Sequence, residues 1–309
     1  MLAVLSCHHF STQAFFSFLP LSTTHTTAIN MNLKFVKLNG LGNSFVFFDA
    51  RTQNLDLYKT PEIIAKICSV QNGVGADGVV FVEPSEKLSE VCKMIIYNSD
   101  GSRAQMCGNA LRCLAHLLFK TLPRNRSLAV GTDAGERLVT YISSDELLYK
   151  TSMGIPSFDL LKTGEILADG FSFKTCGKKY EVTYVNVGNP HGVVVVDEIF
   201  PNNLIERDCS AFEKDSNHPQ KMNLELVLPK GRDRIQVTVY ERGCGFTAAC
   251  GTGAVASAAA CRRKGICGDE VIVDMPGGSL NVSFDEEGTA YLTASVAEVC
   301  SGIFSESFF

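Results

Sequence analysis

The sequence predicts an α/β protein of two pseudo-symmetric domains, each a β-barrel-like antiparallel or mixed sheet wrapped around one central helix. Three observations lead to this prediction. Short strands alternate with glycine-rich and asparagine-rich turns along the chain. Two helical segments are apolar on almost every face, so each must be buried in the middle of a domain. Both segments begin with a Cys-Gly pair, at Cys107 and Cys250, 143 positions apart.

In the first half, strands are predicted over residues 35–37 and 45–49. They flank the turn NGLGN, whose glycines and asparagines tolerate positive φ. Residues 61–70 predict a helix, with proline in its first turn and isoleucines on one face. The loop NGVGADG follows, and strands are predicted over residues 79–82 and 93–98. MCGNALRCLAHLLFK then predicts the first central helix.

The second half repeats this order. Strands are predicted over residues 180–187, 193–197, 224–228 and 235–241, the last alternating as IQVTVYE. ACGTGAVASAAACRRKG predicts the second central helix, which basic residues and Gly265 end. Strands over residues 271–274 and 280–284 complete the half. We therefore predict a duplicated domain, with residues 31–152 in the first copy and 153–295 in the second. The boundary is predicted near residues 153–156, where MGIP interrupts the strands.

Residues 1–30 are predicted to lie outside both domains. They contain no Lys, Arg, Asp or Glu and are rich in Ser and Thr. They have neither the positive start of a signal peptide nor the arginines typical of a transit peptide. We interpret them as a disordered or non-native extension ahead of Met31, with a cleaved targeting peptide as the alternative.

Composition limits the function classes. Hydrophobic residues make up 45% of the chain, enough for two cores. The net charge of −5 without a basic block argues against binding to nucleic acid or to an anionic membrane. The twelve cysteines are scattered, and those in apolar runs, such as Cys113 and Cys261, are interpreted as packing residues. This favours a reducing, cytoplasmic compartment; a plastid location follows only if residues 1–30 are a transit peptide.

The two Cys-Gly pairs are the strongest candidates for chemistry. A helix N-terminus offers unpaired N–H groups and a partial positive charge, which stabilise a thiolate and bind a carboxylate. If the two domains face each other, both thiols converge on one interdomain cleft. One thiolate and one thiol on opposite faces of a carbon centre are suited to inverting it, without pyridoxal phosphate or another cofactor.

The cysteines admit three other interpretations. The spacing of Cys244, Cys250, Cys261 and Cys267 does not fit a structural zinc site, so no metal is expected. A disulfide between Cys107 and Cys250 remains open. A thiol protease that uses one cysteine with His191 is the chemical rival, but it does not explain the repeated motif.

Polar residues near the two motifs are candidates for the same cleft. Asn-Pro-His-Gly is predicted to place His191 in a tight turn between two strands, with a solvent-exposed turn histidine as the alternative. Glu241 and Arg242 end a strand just before the second Cys-Gly, where Arg242 is suited to clamp a carboxylate or forms a surface pair with Glu241. Asn98 ends the strand ahead of the first Cys-Gly.

YNSDGSRAQMCGNALRCLA, VNVGNPHG, MNLELV and YERGCGFTAACGTGA, in this order and spacing, resemble the diaminopimelate epimerase family. NGLGNSF and GVGADG agree, and the resemblance covers residues 32–305. It implies a cofactor-independent two-thiol epimerase that converts the small molecule LL-diaminopimelate to the meso form, for lysine and peptidoglycan synthesis. It also implies that residues 296–309 return to the first domain, and it leaves room for a homodimer.

The resemblance also implies roles for individual residues. Cys107 and Cys250 would be the two acid/base groups, with His191 and Glu241 as supporting polar residues. The contacts to substrate would come from Asn43, Asn98, Gly108, Asn109, Asn189, Asn223, Arg242, Gly251 and Thr252. Of these, Arg242 and the asparagines at 43, 98, 189 and 223 would hold the distal amino-carboxylate end. The remainder would offer backbone N–H groups to the reacting carboxylate.

Several positions depart from the family pattern. Asn39 and Ser44 replace the usual His and Asp of the first turn motif, and Phe246 replaces the usual Glu of Gly-Glu-Thr. We expect an aromatic residue beside the cleft to alter the choice of substrate rather than the reaction. The alternative function is a racemase for another amino acid, such as glutamate, aspartate or a proline derivative, and a non-catalytic binder of carboxylates is the rival from another class.

Overall fold

The computed structural model describes residues 33–52, 54–124, 127–159, 172–216 and 221–309. The predicted N-terminal extension, residues 1–30, lies outside the described residues.

The first half of the chain carries helix α1 ahead of the third strand and helix α2 between the fifth and sixth strands. Its strands are β1 (Leu33–Gly40), β2 (Asn43–Asp49), β3 (Gly78–Glu83), β4 (Glu90–Asn98), β5 (Arg103–Ala104), β6 (Leu128–Gly131), β7 (Arg137–Ser143) and β8 (Leu148–Gly154). Its helices are α1 (Pro61–Cys68) and α2 (Gly108–Phe119), with a short 3₁₀ turn at Asp56–Tyr58.

From β10 onward, the second half has the same order of elements, and one additional strand, β9, precedes it. Its strands are β9 (Ser172–Thr175), β10 (Lys178–Asn186), β11 (Pro190–Val195), β12 (Asn223–Pro229), β13 (Arg234–Glu241), β14 (Gly245–Thr247), β15 (Glu270–Met275), β16 (Gly278–Phe284) and β17 (Ala290–Ser295). Its helices are α3 (Asn202–Glu213) and α4 (Gly251–Arg263), and the C-terminal strand β18 (Ala297–Phe304) and a 3₁₀ turn (Glu306–Phe308) follow.

Strand pairing confirms the predicted pseudo-symmetry. From β1 through β2, β3, β4, β6 and β7 to β8, the successive pairs are antiparallel, parallel, antiparallel, parallel, antiparallel and antiparallel. The series β10, β11, β12, β13, β15, β16 and β17 repeats these six pairings in the same order. The short strands β5 and β14 fold back on β4 and β13, directly ahead of the two central helices. Each half is therefore one copy of the same arrangement.

Two further pairings connect distant parts of the chain. β8 pairs with β7 and also, across to the second half, with β17. β18 runs antiparallel to β1, with Leu33 opposite Phe304. The C-terminal strand thus lies beside the first strand, while the division of the chain near residues 153–156 stays a prediction, because β8 pairs with strands of both halves.

The central helices α2 and α4 are buried inside the two sheets, as their all-round apolar sequence predicted. Leu111, Leu114 and Leu118 of α2 are among the buried residues of the first core. α4 packs mainly through alanines, whose small side chains let the surrounding strands approach closely. A second helix covers the outer face of each sheet, α1 through Ile64 and Ile67 in the first half and α3 in the second.

Candidate active site

The N-termini of the two central helices meet at the interface of the two halves. Cys107 and Cys250 are the N-cap residues of α2 and α4, both with extended backbone and neither with a side-chain capping bond. A methyl group in place of the Gly251 hydrogen would lie 3.4 Å from Asn109 Oδ1 and 3.8 Å from the Gly108 Cα. The first turns of both helices are therefore in contact, so the two N-termini, each with unpaired N–H groups, lie side by side. Both cysteines are free thiols.

The electrostatics of the two thiols differ from the sequence expectation. Burial raises the pKa of Cys107, while the backbone N–H groups of Asn109 and Ala110 act in the opposite direction. Burial also raises the pKa of Cys250 well above its usual value, and the Glu241 carboxylate raises it further. The helix N-termini act on the thiols as predicted, but removing a thiolate from water outweighs them.

A chain of polar side chains lies behind Cys107. Its Sγ is 3.9 Å from Oδ1 of Asn43, the first residue of β2. Asn109 Nδ2 donates to the same oxygen at 3.4 Å, and Asn109 Oδ1 accepts from Arg112 Nη2 at 2.9 Å. Arg112 is fully buried, although it carries a guanidinium, and burial lowers its pKa to about 10. The first thiol thus has a buried cation one helical turn behind it.

A buried His–Glu pair lies on the side of Cys250. His191 Nδ1 is 2.7 Å from Glu225 Oε1, and both side chains have no exposure to solvent. His191 Nε2 is 3.1 Å from Asn189 Oδ1, and Asn223 Nδ2 approaches Nδ1 at 3.4 Å. The prediction of a turn histidine was wrong, because Pro190 is the first residue of β11, a position at which a strand tolerates proline. His191 therefore points into the core of the second half.

Glu241 is a carboxylate that acts on both thiols. It is the last residue of β13, accepts a hydrogen bond from the Thr247 hydroxyl, and its charge raises the pKa of Cys107 as well as that of Cys250. Thr252 Oγ1 is 3.5 Å from Cys250 Sγ. These contacts group one carboxylate and one hydroxyl around the thiol pair.

Of the residues expected at the distal end of a substrate, Asn43 lies beside Cys107, whereas Arg242 and Asn98 lie at exposed ends of strands. The Arg242 backbone N–H donates to Asn223 Oδ1 at 2.8 Å, and the Arg242 residue is exposed. Asn98 is the exposed last residue of β4, and its Nδ2 donates to Ser102 Oγ at 2.9 Å. Asn98 and Glu241 end equivalent strands of the two halves, each at the turn into the short strand ahead of the central helix. The two halves thus offer different groups, an amide and a carboxylate, at the same place.

Phe246 does not lie where the sequence placed it. Its ring packs edge-on against Tyr240, with centroids 5.0 Å apart, in the cluster beneath α3. Side chains alternate across a strand, so the neighbour Thr247 faces Glu241 and the site. The aromatic replacement therefore belongs to the outer core rather than to the wall beside the thiols.

Sequence reasoning missed two residues of the site, Arg112 and Glu225. Both belong to quoted motifs, but both occupy positions that pattern assigns to the core. A charged residue inside an otherwise apolar helix or strand was the available signal, since such residues are almost never fully buried without a partner.

A sequence profile of the family described as diaminopimelate epimerase matches residues 35–158 and 183–299. The diaminopimelate epimerase of Nostoc punctiforme is 37% identical over 284 residues, covering 88% of this chain and 99% of the relative. That of Geobacillus thermodenitrificans is 33% identical over 282 residues, covering 87% and 96%.

Among solved structures, the hydroxyproline epimerase of Agrobacterium vitis, with bound trans-4-hydroxy-L-proline, has a TM-score of 0.65 at 13% identity and covers 90% of this chain and 94% of that one. No helix in the described part of the chain is long and apolar enough to cross a membrane. The profile match and the identity to full-length relatives place the chain in the diaminopimelate epimerase family.

Proposed function

We propose that the protein interconverts LL-diaminopimelate and meso-diaminopimelate by proton transfer through the thiols of Cys107 and Cys250, without a cofactor. The observation that carries the proposal is the pair of N-cap cysteines on two helix ends that meet from equivalent positions in the two halves. Family membership supports the substrate, because the relatives are named for it. The meso product would enter lysine and peptidoglycan synthesis.

The chemistry follows from the two faces of the substrate. A thiolate on one side removes the Cα proton, and the electron pair stays on the carbon. The opposite thiol then gives its proton to the other face, so the configuration inverts and the second sulfur becomes the thiolate. The reacting carboxylate would lie against the backbone N–H groups of Gly108, Asn109, Gly251 and Thr252, where two helix N-termini stabilise the charge that develops.

The remaining polar residues would position the substrate. His191 and Glu241 are proposed as supporting groups beside the reacting carbon. Arg242, with the asparagines at 43, 98, 189 and 223, would bind the distal amino-carboxylate end. The distal end of diaminopimelate carries an ammonium and a carboxylate, and recognition of both groups would let the enzyme distinguish it from shorter amino acids. We place the enzyme in the reducing cytoplasm, which the free thiols of the eleven described cysteines support.

Substitution of each thiol tests the mechanism. We expect Cys107→Ser and Cys250→Ser each to lower kcat by at least about 100-fold, because a serine hydroxyl is a far weaker acid than a thiol. Cys113→Ser on α2 and Cys261→Ser on α4 are matched controls away from the cleft and should retain activity. The ratio of the two isomers is followed by chromatography with reductant present. Full activity in either active-site variant would contradict the two-thiol mechanism.

Hydrogen exchange tests the substrate. The protein is incubated in D₂O with LL-diaminopimelate, glutamate, aspartate or proline, and deuterium at Cα is measured by mass spectrometry. We expect exchange with diaminopimelate alone. Exchange with several amino acids would instead indicate a racemase of relaxed specificity, and exchange with none would indicate a carboxylate binder.

A further inference from the structure

Arg112 is a buried cation that has no carboxylate partner among the residues that the structure describes. Its side chain is 0% exposed, Nη1 donates to the Gly108 carbonyl at 3.5 Å, and Nε has no hydrogen-bond partner. Within the described part of the chain, the thiolates of Cys113 and Cys107 are the negative charges that stabilise the Arg112 guanidinium. A buried charge needs a nearby opposite charge, because the interior solvates it poorly. Among the described residues, a thiolate is therefore the anion that balances Arg112, and a bound anion is the other source.

Of these two thiols, Cys107 is the one suited to ionise. Cys113 is fully buried inside α2, and burial raises its pKa to about 12. Burial also raises the pKa of Cys107, but this thiol lies at the helix end, where the N–H groups of Ala110 and Asn109 and the Arg112 guanidinium act in the opposite direction. The two thiols thus differ in access and in local dipoles, and both differences favour Cys107.

The geometry aims Arg112 at this end of the helix. Long side chains of a helix lean toward its N-terminus, and the guanidinium reaches back to Asn109 Oδ1 at 2.9 Å. Because that oxygen accepts from Arg112, Asn109 turns its Nδ2 toward Asn43, next to the Cys107 sulfur. Arg112 therefore places a positive charge behind Cys107, and it also sets the orientation of the Asn109 and Asn43 amides.

The second half has the opposite electrostatics. The fifth residue of α4, equivalent to Arg112 on α2, is the buried Val255. The charges that face Cys250 are the carboxylates of Glu241 and Glu225, the latter paired with His191. Glu241 acts on both thiols. The two thiols therefore differ in one charge each, because Cys107 has the Arg112 cation behind it and Cys250 has the Glu225 carboxylate beside it.

We propose that Arg112 is a positioning residue that makes Cys107 the thiolate and leaves Cys250 the thiol in the resting protein. This inference rests on the proposed two-thiol reaction and assigns its starting state. Cys107 then takes the first proton from Cα and becomes the thiol, while Cys250 gives its proton and becomes the thiolate. To reset the resting state, Cys107 returns its proton to water and Cys250 takes one up.

The test is the pH dependence of alkylation at each cysteine. Reduced protein without any amino acid is treated with iodoacetamide between about pH 6 and pH 10, and each site is quantified by peptide mass spectrometry. The pH midpoints of the two profiles are compared instead of the alkylation rates, because the different exposure of the two sulfurs changes the rates but not the midpoints. We expect the midpoint of Cys107 to lie below that of Cys250.

Three variants assign the effect to Arg112. Arg112→Met should raise the alkylation midpoint of Cys107 by about one pH unit or more. At a pH below that midpoint, alkylation of Cys107 should then be about tenfold slower than in the wild type. The midpoint of Cys250 should not change. Arg112→Lys keeps the charge and should restore most of the shift. Arg137→Met is the control, since Arg137 is also partly buried in the first half with an unbonded Nε.

An unchanged Cys107 midpoint in Arg112→Met, or a lower midpoint for Cys250 in the wild type, would overturn the proposal. An unchanged midpoint with a raised KM would mean that Arg112 balances the substrate carboxylate instead. If Arg112→Met does not fold, the ultraviolet absorbance of the thiolate at neutral pH identifies the ionised cysteine. This absorbance should be lost in Cys107→Ser and retained in Cys250→Ser. Absence of Cα exchange in the wild type would contradict the proposed function. The alkylation midpoints would still show which cysteine is the thiolate, because they are measured without substrate.

Discussion

At the scale of single residues, Gly253 determines how closely Glu225 approaches Cys250. A methyl group in place of its hydrogen would lie 2.8 Å from Glu225 Oε1 and 3.4 Å from Cys250 Sγ. The carboxylate is held by His191 and is fully buried, so it has little room to move. Glycine in the first turn of α4 is therefore a requirement of the site and not of the helix.

Gly253→Ala is expected to separate activity from stability. Alanine favours a helix over glycine by about 1 kcal/mol, which offsets part of the strain in the folded protein. The displaced carboxylate and thiol should lower kcat by at least about tenfold. Steady-state kinetics and urea unfolding measure the two effects. Gly268→Ala is the control, because nothing lies within 4 Å of its new methyl group. Wild-type kcat in Gly253→Ala would refute this account.

Single residues were also where sequence reasoning was weakest. The cysteines followed from a repeated motif at two helix starts, a pattern that needs no knowledge of distant contacts. The partnership of His191 with Glu225 joins two strands that are far apart in the chain, and no local pattern carries that information. Asn-Pro-His-Gly has the composition of a turn, yet pairing with β10 and β12 makes it part of a buried strand.

At the scale of elements, both central helices, α1 and ten strands were predicted, whereas α3 and the strands β6, β7, β8, β9, β17 and β18 were missed. Both central helices and α1 lie where their apolar patterns placed them. α3 was not predicted, although Pro201 precedes it, because its buried stripe is limited to positions such as Ile205, Cys209 and Phe212 among polar residues. The strand pairs β8–β17 and β1–β18 were beyond local pattern, since they join positions more than a hundred residues apart.

The C-terminal turn of α2 connects two of these strands through His116. Its Nδ1 is 3.0 Å from the Tyr149 hydroxyl on β8, and its Nε2 is 3.2 Å from Glu298 Oε2 on β18. Burial lowers the pKa of His116, although Glu298 acts in the opposite direction. The folded protein thus keeps this histidine neutral at a pH where the unfolded chain takes up a proton.

This linkage predicts an acid-side loss of stability. As pH falls through about 6.5, the ordinary pKa of histidine, the unfolded chain takes up a proton more readily than the folded state. The free energy of unfolding should therefore decrease toward acid pH through this group. His116→Gln should remove that decrease, and Lys178→Gln, which removes ion pairs with Asp197 and Glu198 in the second half, should retain it. Urea unfolding at several pH values measures this; a variant with the same slope as the wild type would exclude His116 as the cause.

At the scale of the whole molecule, the site depends on how the turn between β1 and β2 contacts the second half. Leu41 and Gly42 form this turn with positive φ angles of 60° and 80°. Leu41 packs against the core around α4, and a methyl group at Gly42 would lie 3.4 Å from Ala248 Cβ. Asn43, next in the chain, faces Cys107. One turn thus couples the position of the first thiol to that of the second half.

Gly277 is the residue on which this contact between the halves depends. Its N–H donates to the Ala248 carbonyl at 2.7 Å, and a methyl group there would meet the Leu41 carbonyl oxygen and lie 3.0 Å from the Ala248 oxygen. Gly277→Ala must therefore push the turn away from the second half.

We expect Gly277→Ala to act on the site more than on the two cores. Moving the turn shifts Asn43 relative to Cys107, and a displacement of about 1 Å in such a site lowers kcat/KM by up to about 100-fold. Each core keeps its own helix and strands, so the loss of unfolding free energy should stay within the roughly 1–3 kcal/mol of an overpacked contact. Kinetics and urea unfolding are compared with Gly268→Ala, which should match the wild type in both. A Gly277→Ala protein with wild-type kcat/KM would mean that the thiols are positioned within each half alone, without the contact between them.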